Sequence, residues 1–134
     1  MKKIVIYWSG TGNTESIANK ISSDLGCEAL SVSAISPSDA SLFDLIILGC
    51  PSMGSEELES DEFEPFYKEL MNLAKGKKFA LFGSYGWGDG EWMRNWQEDL
   101  KNLGGDLICD GLIVNGDESA LDENSYNAFI SALK

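Results

Sequence analysis

A loop rich in small polar residues follows the first apolar run of the chain, residues 4–8. Its members are Ser9, Gly10, Thr11, Gly12, Asn13 and Thr14. The two glycines allow a sharp turn that presents backbone amides, the hydroxyls add donors, and a following helix would attract anions to its N-terminus. No lysine follows, as a P-loop would need, and Glu15 fills the third glycine position of the dinucleotide fingerprint. The loop predicts a phosphate site built from neutral dipoles, although an ordinary strand–helix turn has a similar composition.

Two further loops follow the apolar runs at residues 45–50 and 79–83. The first contains Pro51, Ser52, Met53, Gly54, Ser55 and Glu56, and the second contains Ser84, Tyr85, Gly86, Trp87, Gly88 and Asp89. Met53 offers a polarizable apolar surface, and Trp87 between glycines can stack on a flat ring. A single loop tryptophan more often only covers the core. Together, however, the three loops indicate a flat aromatic ligand with one phosphate group.

The segments between these loops predict how the chain positions them. Nearly continuous apolar runs alternate with helical spacing, which is typical of parallel strands covered on both faces. We therefore expect a single α/β domain over residues 1–134, with a doubly wound five-stranded parallel sheet in the flavodoxin-like order 2-1-3-4-5 and helices on both faces. Residues 29–32 and 107–114 are the weaker strands, and residues 26–44 leave room for only a short helix. Ligands of such sheets bind where the strand order reverses, beside the first and third strands.

Charge and composition exclude several other classes of function. The 134 residues include 10 basic and 22 acidic side chains, a net charge of −12. No basic residue lies between Lys20 and Lys68, whereas ten acidic ones do, so binding to nucleic acid or to an anionic membrane is disfavoured. The acidity either attracts a basic partner or simply keeps the protein soluble. Three scattered cysteines and no histidine argue against a disulfide framework and a metal site. With no signal-like or transmembrane segment, we expect a cytoplasmic monomer.

Four segments of the chain resemble the short-chain flavodoxins of clostridia and related anaerobes. They are residues 7–14, 53–57, 62–66 and 82–88, and the similarity extends from residue 3 to about residue 134. The resemblance implies non-covalently bound FMN as the cofactor. The fifth strand is expected to run uninterrupted over residues 107–114, which leaves no room for the long insertion of long-chain flavodoxins.

The same resemblance assigns roles to the residues of the three loops. It implies that Ser9, Thr11, Asn13, Thr14 and the amides of Gly10 and Gly12 bind the phosphate. Met53 and Trp87 are expected to flank the isoalloxazine ring, with the Gly54–Ser55 peptide beside flavin N5 and Glu56 beside N3. Residues 86–89 should contact the pyrimidine edge through their backbone. Pro51, Ser52, Ser84 and Tyr85 complete the expected cofactor-binding set.

The resemblance further implies a low-potential one-electron carrier rather than an enzyme. It would cycle FMN between semiquinone and hydroquinone and replace ferredoxin toward redox-enzyme partners. Six of the nine residues 56–64 are acidic, and this acidic segment is expected to dock basic redox proteins or ferredoxin-dependent oxidoreductases. A specialised FMN reductase, a ribonucleotide-reductase activator and an FMN store stay open as alternatives. A response-regulator receiver is disfavoured, because Ser9, Cys50 and Asn115 stand where it needs acids and a lysine.

Overall fold

One sheet of parallel strands runs through the computed structural model, which describes all residues 1–134. The strands are β1 (Lys3–Tyr7), β2 (Glu28–Ser31), β3 (Leu45–Gly49), β4 (Lys78–Ser84), β5 (Asp106–Leu107) and β6 (Leu112–Val114). The order is β2-β1-β3-β4-β5, and β6 also pairs with β4. This confirms the predicted α/β fold and its strand order.

The helices cover both faces of the sheet. They are α1 (Asn13–Leu25), α2 (Pro37–Ala40), α3 (Phe63–Leu73), α4 (Glu91–Asn102) and α5 (Glu123–Leu133), and a single 3₁₀ turn spans Glu118–Ala120. The second helix is only one turn long, and the Ser36 hydroxyl caps it by accepting from the Asp39 N–H at 3.1 Å. Since β2 pairs with β1 over four residues, this second strand–helix unit is present but short. No helix has both the length and the apolar character needed to span a membrane.

Two hydrophobic layers, one on each side of the sheet, hold the helices in place. All five residues of β3 are buried. Ile46 and Leu48 pack in the layer that contains α3 and α4, whereas Leu45 and Ile47 pack in the layer that contains α1 and α5. Alternate side chains of one strand therefore enter opposite layers. Burial on both faces explains why the strand sequences are continuously apolar.

The last strand differs from the sequence prediction. The expected continuous strand over 107–114 is wrong, because Ile108–Gly111 separate β5 from β6. Leu107 pairs with Phe79 and Leu112 with Phe82, so five steps along this strand match three steps along β4. Two residues are therefore surplus to the pairing and loop out. The Gly111 N–H, freed from the ladder, donates to Gln97 Oε1 at 2.8 Å.

Close packing between β3 and β4 depends on one glycine. A Cβ atom on Gly49 would lie 2.2 Å from Cζ of Phe82, its neighbour across the strand pair. The Phe82 ring thus lies over the space that a side chain at position 49 would need. This contact fixes the ends of two strands from which site loops emerge.

Candidate functional site

The carboxyl ends of β1, β3, β4 and β6 border a cleft of about 340 Å³. Its volume lies within the range of about 300–1,000 Å³ that is usual for small-molecule sites. The lining residues come from the three loops singled out in the sequence and from the segment after β6: Trp8, Gly10, Thr11, Asn13, Thr14, Pro51, Ser52, Met53, Ser84, Tyr85, Gly86, Asn115 and Gly116. Convergence of these loops on one cleft agrees with the expected position of the site at the reversal of strand order.

Eight of the expected cofactor-binding residues do not line this cleft. They are Ser9, Gly12, Gly54, Ser55, Glu56, Trp87, Gly88 and Asp89. Trp87 is 65% exposed and lies in the loop that supplies Tyr85 and Gly86 to the wall. Their predicted contacts with FMN therefore remain predictions.

Three lining residues were missed by the sequence reasoning. The sequence pattern predicts Trp8 as the end of an apolar strand, and it predicts no ligand contact at Asn115 or Gly116. A signal for the last two was available, since parallel strands end at the same edge and the loop after the final strand must reach it. For Trp8, nothing in the sequence pattern distinguishes a cleft wall from a core position.

The N-terminus of α1 borders the cleft without a side-chain cap. Gly12 takes a φ of 95° just before the helix, and no side chain accepts from the first-turn amides. The Gly12 N–H itself donates to Ser9 Oγ at 3.0 Å, so these two predicted phosphate ligands are paired with each other. Uncapped helix amides carry partial positive charge and suit an anion.

A buried hydroxyl pair joins this helix to the sheet. Thr14 and Ser84 are almost completely buried, and their side-chain oxygens lie 2.8 Å apart in a hydrogen bond. Both residues also line the cleft. The pair holds the first turn of α1 against the end of β4 and so fixes the cleft floor.

The loop after β3 forms a small hairpin. Met53 and Glu57 exchange two backbone hydrogen bonds, each 2.8 Å long. Between them, Gly54 and Glu56 have positive φ values of 49° and 57°. The Gly54–Ser55 peptide therefore lies at the tip of a turn whose base is closed. Met53, at that base, lines the cleft and is 38% exposed.

Glu56 connects this hairpin to the loop after β4. Its Oε1 atom accepts from the Glu91 N–H at 3.0 Å, at the start of α4. A Cβ atom on Gly88 would lie 2.6 Å from the Glu56 carboxyl carbon, and Gly88 has a φ of 90°. Position 88 therefore requires glycine for both space and conformation. The next residue, Asp89, forms an exposed ion pair with Arg94 at 3.1 Å.

In the acidic segment 56–64, the carboxylate of Glu59 has a structural role. Glu59 is only 6% exposed, and it accepts from the backbone N–H groups of Asp61, Glu62 and Phe63 at 2.7–2.9 Å. Burial opposes ionisation, but the three donors outweigh it and hold the pKa of Glu59 below its usual value. Glu59 therefore stabilises the start of α3 and cannot serve as an exposed docking charge.

The other acids of this segment differ in their surroundings. Glu64 forms an ion pair with Lys68 at 3.5 Å, and Glu62 accepts from the Trp8 indole. Glu57 and Asp61 are exposed, and their carboxylates take part in none of the hydrogen bonds or ion pairs. These two are the acids of the segment most available to a partner.

The cleft wall itself carries no charged side chain. Beneath it, at the end of β3, Cys50 is fully buried, and burial raises the pKa of its thiol to about 12. The thiol is therefore protonated at neutral pH and unsuited to nucleophilic chemistry. The arrangement can bind a polar, phosphate-bearing ligand.

A second cavity of about 430 Å³ lies at the break between β5 and β6, against α5. Leu112, Ile113 and Phe129 contribute to its wall, and none of the predicted site residues does. It is separate from the cleft at the carboxyl edge.

Comparison with known proteins gives a consistent answer. The family described as "Flavodoxin" matches residues 5–129. The chain is 44% identical to a flavodoxin of Megasphaera elsdenii over 81% of its own length and 83% of the relative's, and 42% identical to one of Clostridium beijerinckii over 90% and 91%. The solution structure of two-electron reduced Megasphaera elsdenii flavodoxin superposes with a TM-score of 0.87 at 40% identity, covering 98% of this chain and 99% of that one.

The fold and the cleft define an α/β protein of the mononucleotide-binding type, with its site at the strand-order reversal. Taken with the comparisons, they show that the chain belongs to the flavodoxin family, as the sequence predicted. FMN is accordingly its cofactor, and its role is electron transfer rather than catalysis. The uncapped α1 terminus suits the FMN phosphate, and Met53 and Tyr85 give the wall apolar surface suited to the flavin ring.

Proposed function

We propose that the protein is a low-potential one-electron carrier that binds FMN in the cleft, with the phosphate at the α1 N-terminus and the ring between Met53 and Trp87. The convergence of three loops on one uncharged cleft carries this proposal. The hydroxyls and amides of residues 9–14 would bind the phosphate. Glu56 and the backbone of residues 86–89 would contact the ring's polar edge.

The uncharged wall is the basis for the low potential. No lining side chain neutralises the phosphate, so its negative charge opposes the arrival of an electron nearby. Two unit charges about 10 Å apart at an effective dielectric constant near 20 repel by roughly 1–2 kcal/mol. That energy corresponds to roughly 40–90 mV for a one-electron couple. Distant exposed carboxylates are screened by salt and contribute less.

The hairpin after β3 would respond to the redox state of the flavin. Gly54 lies at its tip with a φ of 49°, and glycine crosses to other turn conformations at low cost. Rotation of the Gly54–Ser55 peptide would turn the Gly54 carbonyl toward flavin N5, where it can accept a hydrogen bond. The two Met53–Glu57 backbone bonds would hold the rest of the loop still.

The exposed acids beside the cleft suit basic redox partners. Glu57 and Asp61 are the exposed acids of the acidic segment, and Glu57 pairs with the cleft residue Met53 in the hairpin. Met53 and Trp87 present exposed apolar surface. Electrostatic attraction would speed the encounter with a basic redox protein or a ferredoxin-dependent oxidoreductase. We expect the protein to act as a monomer in the cytoplasm, where its three free cysteines would stay reduced.

A coupled assay tests the carrier role. A reduced ferredoxin-type donor and a basic one-electron acceptor are mixed with substoichiometric FMN-loaded protein. A carrier turns over many times and passes electrons from donor to acceptor. A protein that only stores FMN gives no transfer above the background rate, and that result would refute the proposal.

A further inference from the structure

Trp8 lines the cleft and connects β1 to β3 and to the start of α3. Its backbone N–H donates to the Gly49 carbonyl at 3.0 Å and so extends the pairing of β1 with β3. Its indole ring lines the cleft. The ring Nε1–H donates to Glu62 Oε1 at 3.1 Å, at the start of α3.

The same ring lies against the phosphate loop. A Cβ atom on Gly10 would lie 3.0 Å from Cη2 and 3.3 Å from Cζ3 of Trp8. The benzene half of the indole therefore packs directly on the backbone of Gly10, while the pyrrole half is held by Glu62. Any movement of the ring would be transmitted to Gly10.

The phosphate loop has few other internal supports. Gly10 and Thr11 are exposed and take part in none of the hydrogen bonds, which lie on either side of them: the Gly12 N–H donates to Ser9 Oγ, and Ser16 Oγ donates to the Asn13 carbonyl. Thr14, at the end of the loop, is tied to the sheet through Ser84, so it is the exposed part of the turn at Gly10 that depends on its contact with the Trp8 ring.

We propose that Glu62 and Trp8 are positioning residues of the FMN site. The Glu62 carboxylate orients the indole, and the indole sets the position of Gly10 and of the phosphate loop above it. This proposal rests on the proposed binding of the FMN phosphate by residues 9–14. Glu62 acts through its hydrogen bond, since it does not line the cleft.

Two variants of Glu62 separate the hydrogen bond from the charge. Glu62→Gln and Glu62→Ala both remove the negative charge, but only glutamine keeps an oxygen that can accept from the indole N–H. Glu62 is exposed, so both variants should fold, which circular dichroism can check. Glu57→Ala serves as the matched control, because it removes an exposed acid of the same segment whose carboxylate makes no hydrogen bond.

The experiment measures the affinity of each apoprotein for FMN and for riboflavin by flavin fluorescence. Riboflavin lacks the phosphate and does not need the loop. We expect Glu62→Ala to bind FMN about 3- to 10-fold more weakly than Glu62→Gln, the size of one hydrogen bond, while the two variants bind riboflavin equally. Trp8→Phe should reproduce the FMN loss, and adding Glu62→Ala to it should have no further effect.

Three results would overturn the proposal: equal FMN affinity of the Gln and Ala variants, an equal loss for riboflavin, or additive losses in the double variant. Failure of the unmodified protein to bind FMN would instead refute the proposed function. The two failures are thus distinguishable.

Discussion

Replacement of Glu59 by alanine gives a prediction whose size follows from the structure. The change removes the acceptor for three backbone N–H groups at the start of α3. Those of the exposed residues Asp61 and Glu62 can bind water instead. Phe63 is fully buried, so its N–H is left unsatisfied at a cost of about 1–3 kcal/mol. The loss of the Phe63 bond therefore sets the size of the effect, about 1–3 kcal/mol in total.

Urea unfolding with excess FMN present, followed by circular dichroism, measures this loss. With a slope of about 2 kcal/mol per M, the midpoint should fall by about 0.5–1.5 M at pH 7. Glu59→Gln should lose less, because its side-chain oxygen can still accept from Glu62 and Phe63. Glu57→Ala, the same change at an exposed position, should shift the midpoint little.

The difference between the unmodified protein and Glu59→Ala should also depend on pH. Because the folded-state pKa of Glu59 is lowered, its stabilisation is fully present above the unfolded-state pKa of about 4.3. This charge-dependent part is lost as pH falls through the folded-state pKa, so the difference between the two proteins should narrow in acid. An equal midpoint at pH 7, or a difference that does not shrink below about pH 4, would refute the assignment of Glu59 as a charged cap.

Three further predictions concern the site and the sheet beneath it. Gly54→Val should lower the potential of the first one-electron reduction of the bound FMN by about 20–60 mV, the equivalent of one hydrogen bond. Its effect on FMN affinity should be smaller. Unchanged potentials in a redox titration would count against the peptide rotation. Gly49→Ala should lower the free energy of unfolding in urea by about 2–3 kcal/mol, because its methyl group would meet the Phe82 ring. Gly86→Ala is the control, since its methyl group meets open space and stability should change little. Electron transfer to a basic acceptor should slow as ionic strength rises, and removing the Glu57 charge by Glu57→Gln should weaken that dependence; a flat salt profile would contradict steering.

The fold was predictable because most strands are buried on both faces. Burial of this kind produces the continuous apolar runs of β1, β3 and β4, and their alternation with helices restricts the topology to a few choices. The break between β5 and β6 was not predictable. Ile108 and Cys109 continue the apolar pattern, and the two surplus residues become visible only when the strand is paired with β4.

The site was predictable as a set of loops but not as a set of contacts. Glycines, hydroxyls and aromatic residues mark the loops, and strand order brings them to one edge. The roles of individual carboxylates depend on hydrogen-bond partners that are far away in the sequence. Glu56 reaches the start of α4, 35 residues away, and Glu62 reaches Trp8, 54 residues away. No local sequence pattern predicts such long-range hydrogen bonds.

The visible spectrum of the purified protein during stepwise reduction tests the central claim most directly. A carrier with FMN in this cleft should show a flavin spectrum that bleaches in two separate one-electron steps, the second at a markedly lower potential than that of free FMN. A colourless protein that does not take up added FMN would contradict the account. So would a bound flavin that is reduced in a single two-electron step.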